Sequence, residues 1–188
     1  DEVVRDADLA MFEAKAAGKG RVALFDARMT ARLGRKLQLD ADLRRAIGEG
    51  QLALAYQPLY ELDPHRLGGF EALARWTHPV HGTVAPTEFV ALAEETGCIA
   101  ALTDWVIDEA VRQHAAWLHG GAASGPLVMH VNVSGRDLAR PGFVLHVCEV
   151  LRRHALPPPL LLLEITETTL MEQRDEALQA LSQLTAIG

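Results

Sequence analysis

The chain has 188 residues, of which 49% are hydrophobic and 23% charged, a composition typical of a soluble globular protein. Its formal net charge of −7 argues against a broad surface for DNA, RNA or an anionic membrane. With two cysteines, no apolar run of the ~20 residues that span a bilayer and no signal peptide, we expect a reduced, cytoplasmic protein without a membrane segment in this stretch.

The first quarter of the chain predicts two helices around a short strand. Apolar residues recur at helical spacing over 1–17, and Gly18 and Gly20 end that helix. A short strand is predicted over 21–25, and a charged connecting helix over 27–48. The connecting helix has an incomplete apolar stripe made of Met29, Leu33, Leu37, Leu43 and Ile47. One helix and one strand cannot bury a core, so 1–26 is interpreted as the end of a domain.

After Gly50 strands alternate with helices. The predicted strands cover 52–59, 67–75, 127–134 and 160–168, and the predicted helices cover 86–96, 102–118, 142–155 and 175–186. This alternation predicts an α/β fold with a parallel sheet and helices packed outside it.

Polar residues stand at selected places in these strands. Glu71, Leu73 and Arg75 share one face of their strand, because side chains at even separation point the same way. A second strand is predicted to have its own polar face, formed by Val128, His130, Asn132 and Ser134. Glu71, Asn132 and, in the last strand, Glu164 are expected near the C-terminal ends of their strands, where barrel enzymes build their sites.

The types of these residues suggest a chemistry. Carboxylate and amide oxygens favour a hard cation, Mg²⁺ or Mn²⁺, and an arginine can hold a phosphate. The alternative is that Glu71 and Glu164 are strand-end carboxylates that reach solvent. Glu164 follows a run of leucines. Burying a carboxylate there is costly unless it is paired or bound to a metal.

Several ordered segments resemble the EAL family, whose complete members hydrolyse cyclic di-GMP. They are Tyr-Gln-Pro at 56–58, Phe-Glu-Ala-Leu-Ala-Arg-Trp at 70–76, Pro-Thr-Glu-Phe at 86–89, Ala-Glu-Glu-Thr-Gly at 93–97, Asn-Val-Ser at 132–134 and Glu-Ile-Thr-Glu at 164–167. The resemblance runs from about residue 43 to 188. It implies an incomplete TIM-like (β/α) barrel with one reversed strand over 49–188.

The resemblance also implies roles for individual residues. Glu71, Asn132 and Glu164 would be the catalytic metal ligands, and the product would be the linear dinucleotide pGpG. The residues that would line the cyclic di-GMP pocket are Gln57, Leu73 and Arg75. Glu167 completes the last motif either as a supporting carboxylate or as a ligand.

The start of the chain resembles another family. Residues 7–15, followed by Gly-Lys-Gly at 18–20, look like the closing helix and turn of a GGDEF (diguanylate cyclase) domain. Basic residues at the positions of Lys15 and Lys19 approach nucleotide phosphates in that family. Because the signature loop and its metal ligands are absent from this chain, we expect Lys15 and Lys19 to be solvated lysines near a helix end. The resemblance implies an upstream GGDEF domain in the same chain. It is compatible with a membrane or sensory domain before that domain and with a homodimer.

The EAL pattern continues with an Asp-Asp pair, a lysine, a further acid and a glutamine that these 188 residues do not contain. We therefore expect a piece of a longer protein, inactive on its own. The main alternative function is a degenerate EAL domain that binds cyclic di-GMP without cleaving it; intact Glu71, Asn132 and Glu164 favour the enzyme. An unrelated barrel enzyme is a third alternative.

Two other residue groups were considered as sites. His78 and His81 flank a proline; we expect exposed loop histidines, with a metal pair as the alternative, for which no third ligand is suggested. Ser134 lacks the surrounding Gly-x-Ser-x-Gly pattern of a hydrolase nucleophile, so we expect it to support the end of its strand.

Overall fold

The computed structural model describes residues 2–16, 18, 20, 22–62, 65–121, 127–165 and 174–188. These residues divide into two compact units, Asp1–Arg45 and Ala46–Gly188. Among the helices that are described, none is both long and apolar enough to cross a membrane.

The first unit is helical. It contains α1 (Glu2–Ala16) and most of α2 (Ala27–Glu49), which continues across the boundary between the units. The helices agree with the sequence, but the strand predicted over 21–25 is wrong, since 22–26 have no regular secondary structure. No described strand pairs with this segment, and a strand without a partner has no hydrogen-bond ladder. The predicted apolar stripe on α2 is also incomplete, because Leu37 is 64% exposed.

The second unit contains the sheet. Its strands are β1 (Leu52–Leu62), β2 (His65–His78), β3 (Gly82–Val84), β4 (Val128–Asn132) and β5 (Leu161–Glu164). Its helices are α3 (Pro86–Thr96), α4 (Ile99–His119), α5 (Gly135–Ala139), α6 (Phe143–His154) and α7 (Arg174–Ile187). The short elements β3 and α5 escaped prediction because three and five residues are too few to show a hydrophobic period. Part of the predicted last strand, 166–168, lies outside the described residues.

The strands form an open mixed sheet in the order β1-β2-β4-β5, with β3 paired to β2. Strands β2, β4 and β5 are parallel, and β1 runs antiparallel to β2. The expectation of an α/β barrel-type sheet is confirmed in the part of the chain that is described. Two of its strands are reversed rather than one, because the three-residue β3 also runs antiparallel to β2.

One face of this sheet packs on helices and forms the core; we call it the helix face. Trp76, Met129 and Val131 lie on it and are fully buried. The indole of Trp117 on α4 contacts this face, with its ring centroid 4.8 Å from that of Tyr56 and 5.0 Å from that of Phe70. Burying these large apolar side chains is the main stabilisation of the unit, at ~1.5–3 kcal/mol for each residue.

Helix α3 has the bounds that its sequence predicts. Pro86 stands at its first position, where the missing N–H costs nothing, and Gly97 ends it with a φ of 77°. Such local signals operate without help from the rest of the fold.

Close contact between β2 and β4 depends on Gly69. A Cβ atom added to Gly69 would lie 2.0 Å from the carbonyl oxygen of Val128, which is far inside van der Waals contact. Only glycine therefore permits the observed approach of the two strands.

Candidate active site

A row of side chains crosses four strands of the sheet on the side opposite the helix face. Gln57 of β1 pairs with Glu71 of β2, which pairs with His130 of β4, which pairs with Leu162 of β5. Directly paired residues in a sheet point to the same side, so these four side chains are neighbours on one surface. We call this surface the site face.

A second row lies one step further along the parallel strands. There Asn132 of β4 pairs with Glu164 of β5. Two hydrogen bonds connect the rows diagonally. The Nδ2 of Asn132 donates to Oε1 of Glu71 at 2.7 Å, and Nδ1 of His130 lies 2.7 Å from Oε1 of Glu164. The two acids thus lie on the outer strands, β2 and β5, and the two nitrogen donors lie between them on β4. We call this group the acid–donor square.

The square is reached by solvent. Asn132 is exposed, and the side chains of Glu164 and His130 are 40% and 21% exposed. Each of these two hydrogen bonds uses one carboxylate oxygen, Oε1, so neither of them engages the second oxygen of each acid or Oδ1 of Asn132. A small ligand can therefore approach oxygens from three neighbouring strands, β2, β4 and β5.

The structure brings together Glu71, Asn132 and Glu164, the three residues predicted to bind the metal. The expectation that all three end their strands is wrong for Glu71, because β2 continues to His78. Strand β2 is longer than predicted since its last part pairs with β3. Glu71 nevertheless pairs with His130, two residues before the end of β4, and from there its carboxylate reaches Asn132.

The side-chain oxygens of Glu71, Asn132 and Glu164 are of the type that binds a divalent cation. Within the described ranges, no three His, Cys, Asp or Glu side chains are grouped closely enough to hold a metal ion. The acid–donor square instead offers two carboxylates and an amide. Such a set suits Mg²⁺ or Mn²⁺, which commonly bind through one or two carboxylates and complete their coordination with water and phosphate oxygens. The donors therefore fit in type.

The predicted ligand-binding residues lie on the site face of the β1–β2 pair. Leu73 stands opposite Ala55, and Arg75 stands opposite Ala53. Because alanine side chains are small, they leave space on the site face beside Leu73 and Arg75. The guanidinium of Arg75 donates from Nη1 to the carbonyl oxygen of Ala74 at 3.0 Å, which uses one of its five N–H groups.

Tyr56 belongs to the same motif as Gln57 but points the other way, to the helix face. Burial raises the pKa of Tyr56 to about 12, and the nearby charge of Glu109 adds to this effect. The phenol therefore stays protonated at neutral pH and contacts Trp117 rather than a ligand. Glu167 and Lys19 lie outside the described residues, and Lys15 is exposed on α1.

The turn after β4 is held by a buried carboxylate. Ser134 caps α5 in a reciprocal capping box with Asp137, whose side chain is fully buried. Oδ2 of Asp137 accepts hydrogen bonds from the Ser134 backbone N–H at 3.0 Å and from the Thr103 hydroxyl at 2.9 Å. Ser134 thus supports the strand end, as expected, and this network fixes the backbone two residues after Asn132.

Replacing Asp137 by Ala is expected to lower the free energy of unfolding by about 3 kcal/mol, because the hydroxyl of Thr103 and the N–H of Ser134 would be left buried without their acceptor. Urea denaturation of the full chain followed by circular dichroism measures the change. Asp175→Ala is the matched control, since Asp175 is an exposed acid in the first turn of α7. Equal stability of the two variants would contradict the structural role.

His78 differs from its prediction, whereas the neighbouring His81 is half-buried. His78 is 2% exposed, and its Nδ1 accepts hydrogen bonds from the backbone N–H groups of Val80 and His81 at 3.1 Å each. The expectation of an exposed loop residue is wrong for His78, because its side chain folds back to hold the turn between β2 and β3. The sequence showed no pattern from which this could be read.

His130 is the site residue to which the sequence analysis assigned no role. Its alternation with Asn132 along β4 placed it on the same face, but nothing in the sequence indicated a contact with Glu164, 34 residues away. The contact between His130 and Glu164 depends on the register between β4 and β5.

Comparison with known proteins identifies the domain. A profile of the family described as "EAL domain" matches residues 40–188. The protein is 43% identical over 187 residues to the bifunctional diguanylate cyclase/cyclic di-GMP phosphodiesterase MucR of Pseudomonas aeruginosa, covering 100% of this chain and 27% of that protein. It is 35% identical over 186 residues to the cyclic di-GMP phosphodiesterase PdeR of Escherichia coli K12, covering 99% of this chain and 28% of that protein.

Solved structures give the same result. The PaMucR phosphodiesterase in complex with c-di-GMP superposes with a TM-score of 0.73 at 45% identity, covering 80% of this chain and 60% of that one. The EAL enzyme Bd1971 in its cGMP-bound form gives a TM-score of 0.73 at 28% identity, covering 86% and 45%. The chain therefore spans little more than a quarter of these curated relatives and 60% of the first structure.

Proposed function

The chain belongs to the EAL domain family, and on that premise we propose that it forms part of an enzyme that hydrolyses cyclic di-GMP to the linear dinucleotide pGpG. The observation that carries the proposal is the acid–donor square, in which Glu71, Asn132 and Glu164 meet on one face of the sheet. The likeness to a phosphodiesterase structure that contains c-di-GMP supports the choice of substrate.

Divalent-metal dependence is general among EAL phosphodiesterases. We propose Mg²⁺ or Mn²⁺ as the cofactor here, held by oxygens of Glu71, Asn132 and Glu164. When bound, such a metal polarises a phosphoryl oxygen and makes a water a better nucleophile at neutral pH. The hydrogen bond from Asn132 keeps the Glu71 carboxylate in place.

The nucleotide is proposed to lie along β1 and β2, against Gln57, Leu73 and Arg75. Leu73 offers an apolar surface for a base, and Gln57, directly opposite Glu71, offers a neutral hydrogen-bonding group. Arg75 provides the positive charge that a phosphodiester needs. Its guanidinium geometry matches two phosphate oxygens at once.

The test is turnover of cyclic di-GMP by a protein extended to the length of its solved relatives, with Mg²⁺ or Mn²⁺ and chromatographic detection of the product. We expect the linear dinucleotide to form, and a chelator to stop its formation. Tight binding of the nucleotide without any linear product would overturn the enzyme and support the sensor alternative.

In the same extended protein, Arg75→Ala is expected to raise KM for cyclic di-GMP about 10- to 100-fold, since a lost charge-assisted contact is worth ~1.5–3 kcal/mol. The kcat should change much less, because Arg75 is proposed to bind phosphate in the ground state as well. Arg66→Ala is the matched control, as this β2 arginine forms a surface ion pair with Glu61. A KM unchanged by Arg75→Ala would exclude the phosphate contact.

We also propose the organisation of the longer protein. Residues 1–26 would be the C-terminal tail of a GGDEF domain, 27–48 the connecting helix, and 49–188 the N-terminal part of the EAL domain. A relative named as both diguanylate cyclase and phosphodiesterase aligns with 100% of this chain at 43% identity, which supports this arrangement. A cytoplasmic location is proposed as well; both cysteines, Cys98 and Cys148, are free, as a reducing compartment requires.

A further inference from the structure

We propose that His130 is a positioning residue for the reaction: its imidazole holds the Glu164 carboxylate in the orientation that binds the metal. The inference rests on the proposed function, in which Glu164 is a metal ligand. It assigns a task to a histidine that the motifs of the sequence do not include.

The contact itself is short and well placed. Nδ1 of His130 lies 2.7 Å from Oε1 of Glu164, and a carboxylate can only accept, so the ring nitrogen is the donor. The two residues sit on adjacent parallel strands, where His130 pairs with Leu162 and therefore lies diagonal to Glu164. Both backbones are fixed by the ladder, which leaves the side-chain torsions as the only freedom of this pair.

One of those torsions is soft. The terminal torsion of a glutamate has a broad, roughly two-fold distribution, so a carboxylate without a partner samples many orientations. A bond to Oε1 selects one orientation and turns Oε2 away from the histidine. Because the His130 side chain is only 21% exposed, water competes weakly for its donor, and the selected orientation persists.

The other acid of the square is held in the same manner. Asn132 donates to Oε1 of Glu71, as His130 does for Glu164. Asn132 keeps an amide oxygen with which to bind a metal, whereas His130 has no oxygen to offer. The square therefore divides into three candidate oxygen ligands and one residue whose contribution is orientation.

The experiment measures Mn²⁺ affinity by calorimetry, without nucleotide, in the extended protein. His130→Ala is expected to weaken Mn²⁺ binding about 10-fold or more, the usual effect of losing a partner that orients a ligand. His130→Asn should restore affinity to within about 3-fold of the wild type, because its Nδ2 occupies the place of the imidazole Nδ1 and donates to the same oxygen. His130→Gln carries its amide one bond further out and should not restore it.

The matched control is His154→Ala. His154 is also a partly buried histidine beside an acid, with Nε2 3.5 Å from Oδ1 of Asp108, but it lies on α6 in the helical layer. Mn²⁺ affinity should be unchanged in this variant. Circular dichroism checks the folding of each protein, and if His130→Ala does not fold, the comparison of the Asn and Gln variants decides.

The outcomes separate the two proposals. Unchanged Mn²⁺ affinity in His130→Ala overturns the positioning role while leaving the phosphodiesterase intact. If His130→Asn and His130→Gln bind Mn²⁺ equally weakly, the positioning role is also overturned. The imidazole would then be a metal ligand itself. A wild-type protein that binds Mn²⁺ but never cleaves cyclic di-GMP overturns the proposed function. The Mn²⁺ affinities of the His130 variants then still decide whether the imidazole orients Glu164 toward the metal.

Discussion

Glu71→Ala or Glu164→Ala is expected to lower kcat for cyclic di-GMP by about 10³-fold in the extended protein. Each change removes a carboxylate proposed to hold the metal, and metal stabilisation of a phosphoryl transition state is worth several kcal/mol, at 1.36 kcal/mol for each factor of ten. Each also leaves a donor without its acceptor, Asn132 in one variant and His130 in the other. Rates are measured by chromatography of the linear product at saturating Mn²⁺.

Glu61→Ala serves as the control for this pair. Glu61 is a β1 glutamate whose carboxylate forms an ion pair with Arg66 at 2.8 Å, and its side chain is 44% exposed. Exposed pairs of this kind contribute at most about 1 kcal/mol, so turnover should stay near the wild-type value. Retention of more than a tenth of the activity in either Glu71→Ala or Glu164→Ala would contradict the proposed metal ligands.

Gly69→Ala is expected to lower the free energy of unfolding by about 3 kcal/mol, the upper end of the usual cost of overpacking, because the neighbour cannot yield. The new methyl would meet the carbonyl oxygen of Val128 at 2.0 Å. Strand β4 cannot move aside, since Met129 and Val131 are completely buried on the helix face. Thermal or urea unfolding of the full chain measures the loss.

The same substitution should impair the site. Glu71 follows Gly69 by two residues on β2 and is paired with His130, so separating the strands moves the acid–donor square apart. Gly68→Ala is a close control. A Cβ at Gly68 meets only the flexible Glu61 side chain within 3.5 Å, and alanine costs less backbone entropy than glycine. Comparable losses in the two variants would mean that the approach of β2 to β4 is not what requires Gly69.

The sequence by itself determined the elements and the family. Apolar periodicity, Pro86 and Gly97 locate α3 because each acts through the backbone of its own neighbourhood. The ordered motifs indicated an EAL domain and a TIM-like sheet, and both are confirmed. They indicated one reversed strand, which is β1, but not the short reversed β3. They also named Glu71, Asn132 and Glu164, whose catalytic roles stay predictions.

Only the tertiary structure decided which side chains meet. The bond between Asn132 and Glu71 joins residues 61 apart in the chain, and that between Asp137 and Thr103 joins residues 34 apart. Such contacts depend on strand register and helix packing, which act between segments and leave no periodic signal within either one. For the same reason the burial of His78 and the contact of His130 with Glu164 were visible only once β2, β4 and β5 lay side by side.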